Sequence, residues 1–129
     1  MLGDPRITAI VPTTDLSRAR QFYGETLGLE ETGAPTPGPE VIYRCGGGTL
    51  LEVYERPRAG DAEHTLASWE LEEVKAGVEK LRQRGVRFEE YDLPEIKTED
   101  GVARVGDFHA AWFRDPDGNI LCIHSKVQA

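Results

Sequence analysis

Asp15-Leu16-Ser17-Arg18-Ala19-Arg20-Gln21-Phe22-Tyr23, closed by Leu27-Gly28-Leu29, is the stretch on which the fold turns. Thr14 and Asp15 offer short oxygen-bearing side chains to the free amides of a first helical turn. Leu16, Ala19, Phe22, Tyr23 and Leu27 then recur at helical spacing on one face, and Gly28 supplies the stop. Upstream, Arg6 to Pro12 reads as a strand that Pro12 closes. Downstream, the Gly33-Ala34-Pro35-Thr36-Pro37-Gly38 run cannot hold a ladder or a helix and reads as a loop. A strand over Glu40 to Cys45, a turn through Gly46, Gly47 and Gly48, and a strand over Thr49 to Glu55 follow.

After a loop from Arg56 to Ala62 the same order starts again. A strand is expected near His64 to Leu71 and a helix from Glu72 to Arg84, with Val74, Val78 and Leu81 inward and Gly85 at its end. Val86 to Tyr91, Phe108 to Arg114 and Ile120 to Ser125 read as strands, the last two joined by Asp115-Pro116-Asp117-Gly118-Asn119. Aligning the halves pairs Asp15-Leu16 with Glu73-Val74, Tyr23 with Leu81, and Gly28-Leu29 with Gly85-Val86. Two copies of a strand, a helix and three strands nearly account for the chain, and neither copy alone covers both faces of its sheet.

The chain has 129 residues, the usual size of one domain. Its 15 basic and 23 acidic side chains give a formal charge of −8, which repels phosphate backbones and anionic lipid heads. Nucleic acid and membrane are therefore not expected partners. Charges at Asp4, Arg6, Asp15, Arg18 and Arg20 argue against a leader or spanning segment, so a cytoplasmic protein is expected. Cys45 and Cys122 are expected to be free thiols, since they lack the spacing of a disulfide framework or a zinc site.

Three motifs occur at mutual spacings that resemble the vicinal oxygen chelate superfamily of glyoxalase I, bleomycin-resistance proteins and extradiol dioxygenases. They are Asp15 to Tyr23 with Leu27-Gly28-Leu29, the Gly85-Val86 helix end, and Phe113-Arg114-Asp115-Pro116-Asp117-Gly118-Asn119-Ile120. The resemblance covers nearly the whole length. It implies an α+β fold in one domain, 1–129, with two βαβββ modules at about 5–56 and 63–127. Their sheets would curl into a cup with the helices outside, usually completed by a homodimer.

In metal-dependent members the resemblance further implies a divalent ion, Zn, Ni, Fe or Mn, held by the first and last strands of each module. Residue by residue, those positions fall on Thr8, Glu52, Leu66 and Cys122. Only Glu52 keeps a familiar donor, and an ion needs three or more. No metal and no other cofactor is expected.

Side chains alternate across a strand, so Ile10, Leu50, Tyr54, His64, Ser68, Glu70, Ile120 and His124 share the cup side with those four positions. Trp69, of opposite parity, is expected beneath a helix. The mixture of apolar and polar groups suits a small-molecule pocket. Thr8, Ile10, Leu50, Glu52, Tyr54, Leu66, Ser68, Cys122 and His124 are the candidate ligand-lining residues. Glu52 is the candidate base or ligand anchor, with its pKa raised by lost hydration. Tyr43 and Trp112 are stacking candidates whose alternative is the core. Leu93 to Gly106 is long enough for a flap over the cup.

Two functions follow from the resemblance. One is a metal-free protein, similar to the antibiotic-sequestering members, that holds a small, partly apolar molecule without chemistry. The other is a lyase, isomerase or dioxygenase working through Glu52 or through a divalent ion on a shifted set of His64, Glu52, Cys122 and His124.

Overall fold

A computed structural model describes residues 1–128. The chain divides into two compact units, Met1–Asp61 with Pro116–Asn119, and Ala62–Asp115 with the chain from Ile120 onward. Each unit holds its own mixed sheet, giving an α+β architecture of two sheets with few helices. No helix among the described residues is long and apolar enough to cross a membrane.

In the first unit the strands are β1 (Thr8–Thr13), β2 (Glu30–Glu31), β3 (Glu40–Arg44) and β4 (Leu50–Glu55), in the sheet order β1-β4-β3-β2. β1 runs parallel to β4, and the β3–β4 and β2–β3 pairs are antiparallel. Helix α1 (Leu16–Arg20) starts where its cap residue predicts: Asp15 accepts the Arg18 amide at 3.1 Å. Its continuation, Gln21–Thr26, is wound as a π-helix, and the Leu27 amide reaches back to the Phe22 carbonyl at 2.8 Å. Gly28, at φ 76°, then turns the chain in a conformation that side-chain-bearing residues avoid. Val11, Ala19, Tyr23, Val41, Tyr43, Leu51 and Val53 are all buried, and this is the first unit's core. Tyr43 thus belongs to the core, 6.1 Å from the Tyr23 ring. Its hydroxyl has no hydrogen-bond partner among the described residues, and burial first, then the Glu31 carboxylate, push its pKa up to about 12.

A polar clasp completes this unit. Asp117 accepts Thr13 Oγ1 at 2.6 Å, the Thr14 amide at 3.0 Å, Thr14 Oγ1 at 2.7 Å and the Arg18 guanidinium at 2.8 Å. Asn119 donates to the Pro12 carbonyl and accepts the Gly60 amide, at 2.8 and 3.0 Å. Gly60 sits at φ 78°, and a Cβ there would lie 1.9 Å from the Asp117 carbonyl oxygen, so no other residue fits. Burial alone would push the Asp117 carboxyl up; the Thr13, Thr14 and Arg18 partners outweigh it and hold the group below the usual carboxylate range.

In the second unit β5 (Thr65–Glu70), β6 (Thr98–Glu99), β7 (Val102–Val105), β8 (Phe108–Arg114) and β9 (Ile120–His124) form a sheet in the order β5-β9-β8-β7-β6. β5 runs parallel to β9, repeating the β1–β4 arrangement of the first unit. Helix α2 (Val74–Gln83) buries Val74 and Val78. It comes so close to the sheet that a Cβ on Gly77 would meet Leu71 Cδ1 at 2.4 Å and Ile123 Cδ1 at 3.3 Å. Trp69 packs on the helix side as expected, stacked on the fully buried Phe113 at 6.5 Å, and Phe88 meets that ring edge-on at 5.5 Å.

Two expectations fail here. Val86 to Tyr91 is not a strand; it meets β8 through a bridge from Phe88 to Phe113 and a bond from the Glu89 amide to the Trp112 carbonyl at 2.8 Å. Leu93 to Gly106 is not a free flap. It folds as the β6–β7 hairpin on the edge of the sheet, turned by Asp100 at φ 53° and Gly101 at φ 81°. Two consecutive positive-φ residues between paired strands make a tight primed turn, for which Asp-Gly is a favoured pair.

Candidate functional site

In each unit one sheet face packs under the helix and the other is free of helix. On the free face of the first unit, register lines up Thr8, Leu50 and Arg44 in one row, Ile10, Glu52 and Ile42 in the next, and Pro12, Tyr54 and Glu40 in the third. Thr8, Ile10, Leu50, Glu52 and Tyr54 therefore share one face, while Val11, Leu51 and Val53 point the other way into the core. Glu40, Ile42 and Arg44 escaped the sequence reading, although alternation along β3 was enough to place them once that strand was known to flank β4.

Glu52 is half-buried, and its pKa is raised by lost hydration first and then by the neighbouring Glu40 carboxyl, which is hydrogen-bonded to it. The direction matches the expectation; the second carboxyl was not foreseen. Such a pair can share a proton, accept one, or face a cationic or hydroxyl group. The Arg56 guanidinium lies over the Tyr54 ring, 5.6 Å from its centre.

On the free face of the second unit the rows are Thr65, Ile120 and Arg114; Ser68, Cys122 and Trp112; and Glu70, His124 and Ala110. A register shift between Thr65 and Ala67 leaves Leu66 in a bulge with no partner on β9. Thr65, not Leu66, stands across from Ile120. Ser68 Oγ and His124 Nδ1 are hydrogen-bonded, and Phe108 stacks on the His124 ring at 6.0 Å. Cys122 is free and buried, and burial pushes its thiol up despite hydrogen bonds from Ser68 and the Ala111 backbone. A thiol so shifted is a poor nucleophile at neutral pH.

Trp112 is the prominent aromatic group of this face. Its indole N–H donates to Thr65 Oγ1 at 3.2 Å, and the Tyr91 ring meets it edge-on at 5.7 Å. Tyr91 itself is raised by burial first and by Glu89 next, with Arg114 opposing. Beside Trp112 runs a cleft of about 300 Å³ that also takes in Ile96, Ala103, Val105, Phe108 and Ala110. Glu70 accepts the Val127 amide at 3.1 Å. His64 is exposed.

The donor set does not fit a divalent ion. Of Thr8, Glu52, Leu66 and Cys122, one is aliphatic, one a hydroxyl and one a buried thiol held in its neutral form. Among the described residues no three His, Cys, Asp or Glu side chains gather where they could hold a metal.

The sequence matches no curated protein. Several solved structures share its fold. TnmS3, an antibiotic binding protein from Streptomyces sp. CB03234, is 24% identical with a TM-score of 0.69, over 98% of this chain and 99% of that one. A glyoxalase/dioxygenase from Nostoc punctiforme is 16% identical, also with a TM-score of 0.69, over 97% and 92%. The oxidase ChaP-H2 is 19% identical with a TM-score of 0.69, over 98% and 97%. The family model of the Glyoxalase/Bleomycin resistance protein/Dioxygenase superfamily matches residues 6–123, which takes in both units and all three motifs, and the chain belongs to that superfamily.

Proposed function

We propose that this chain binds a small, partly apolar molecule without the divalent ion used by metal-dependent members, and that the Trp112 face of the second unit is its principal binding surface. The observation that carries this reading is Trp112 itself. Its ring is fixed by Thr65 and Tyr91, it borders a cleft of about 300 Å³, and the cleft wall is mostly apolar with polar groups at its margin. A fixed aromatic ring beside an apolar cleft, with a few polar groups to orient a guest, is the usual make-up of a small-molecule site. The four positions that would hold an ion supply one good donor, Glu52, and a thiol pushed away from its ligating thiolate form. The likeness to an antibiotic binding protein supports the same reading.

The test uses chelated, metal-free protein titrated with the neutral aromatic probe 2-naphthol, followed through the Trp112 indole N–H resonance. Saturable shifts of that resonance and of neighbouring backbone amides, unchanged by added zinc, nickel, iron or manganese, are expected, with the affinity read at those amides weakened about tenfold or more in Trp112→Ala. Binding that appears only with one equivalent of metal would overturn the reading. So would shifts that persist in full at neighbouring amides of the variant.

A further inference from the structure

The first unit contains a cleft of about 450 Å³ at the β3–β4 turn, and the binding surface proposed around Trp112 does not include it. Its floor is apolar, from Ile42 and Leu50; its walls carry the Arg6 and Arg44 guanidinium groups and the Thr32 and Thr49 side chains. Two guanidinium groups over an apolar floor are conspicuous in a chain of formal charge −8. We infer that this cleft is a binding site for an organic anion, a carboxylate or sulfonate on a ring-sized apolar body.

The arginines are positioned in advance. Arg6 donates one N–H to the Gly48 carbonyl at 2.9 Å. Gly48 stands at φ 78°, and its missing side chain leaves the Arg6 stem passing 3.5 Å from where a Cβ would be. Arg6 makes no ion pair among the described residues, and its other donors remain for a ligand. Arg44 is held by Glu30 at 2.7 Å and by the Glu31 carbonyl at 3.3 Å, so its charge is partly answered while the direction of its plane is fixed. A planar fork held at one edge and open at the other matches the two oxygens of a carboxylate. Ile42 and Leu50 remove the ligand's body from water, and the volume falls in the range of small-ligand pockets. Further along the same face, Glu40 and Glu52 repel a second anionic group, so the ligand lies with its acid at the turn.

Cys45 lines the same cleft as a free, half-buried thiol and serves as the reporter. In a Cys122→Ser background, 2,2′-dipyridyl disulfide reacts with the Cys45 thiolate to give a mixed disulfide and release 2-thiopyridone, whose absorbance gives the rate. The expected result is that 2-naphthoate slows this reaction saturably, by about fivefold or more, while neutral 2-naphthalenemethanol at equal concentration does not. In Arg6→Gln, each rate is taken against that variant's own unprotected rate; the variant keeps its far-ultraviolet circular dichroism, and the slowing by naphthoate falls away. Equal protection by both compounds, protection that survives in Arg6→Gln, or no protection at all overturns the inference.

Discussion

The two units repeat one topology, a parallel pair of first and last strands flanked by antiparallel neighbours, yet they are held together differently. The first is closed by a polar clasp, Asp117 and Asn119 bonded to Thr13, Thr14, Arg18, Pro12 and Gly60. The second is closed by a ring stack, Trp69, Phe113 and Phe88, against a helix whose Gly77 lets it approach closely. The difference teaches that the topology tolerates either solution. Backbone pairing and an apolar helix face are common to both units; the closing contacts are local. It also divides the response to pH. A clasp built on an ionised carboxylate depends on proton concentration, and a ring stack does not.

The largest effect expected from breaking this contrast is in the ring stack. Phe113 is fully buried between Trp69 and Phe88, and Phe113→Ala should cost about 3–5 kcal/mol in urea unfolding. The loss should be the same at pH 5 and pH 7. Asp117→Asn comes next, at about 1.5–3 kcal/mol near neutrality, because the Asp117 side chain is only 3% exposed and the bonds it accepts are charge-assisted. Its pH dependence carries the information. The Asp117 pKa is lowered in the folded chain, so its contribution is complete above the ordinary aspartate value and disappears as pH falls through the lower folded one. The gap between wild type and Asp117→Asn should therefore narrow in acid. A gap that stays constant down to pH 3 would mean that the clasp works by shape and not by charge.

Much of this architecture was legible in the sequence where the signal was local. Asp15, Gly28 and Gly85 marked helix ends because a cap or a positive φ needs only its own neighbours, and Phe108 to Arg114 is β8 residue for residue. Leu66 failed because a bulge is decided by the partner strand: the alternation seen in β5 alone gives no sign of the slip against β9. The β6–β7 hairpin was missed although Asp100-Gly101 announced it, since its strands are too short to show alternation. The Asp117 clasp and the Glu40 neighbour of Glu52 depend on pairs far apart in sequence, which spacing cannot supply. On the candidate faces, parity placed the residues of β1, β4 and β9, and said nothing about the β3 and β8 residues beside them.

The smallest predicted effect concerns that carboxyl pair, and it runs opposite to the clasp. The pKa of Glu52 is raised in the folded chain, by lost hydration and by Glu40, so its contribution is favourable only while it is protonated. That contribution is complete below the ordinary glutamate value and is lost as pH rises through the higher folded one. Glu52→Gln keeps the shape and removes the like-charge contact with Glu40. The variant should equal wild type near pH 4 and exceed it slightly near pH 7, by less than about 1 kcal/mol because the pair is half open to screening water. Unfolding midpoints at the two pH values measure it. A variant less stable than wild type at pH 7 would mean that the Glu52 carboxylate has a favourable partner on this face, and the raised pKa would then have to be abandoned.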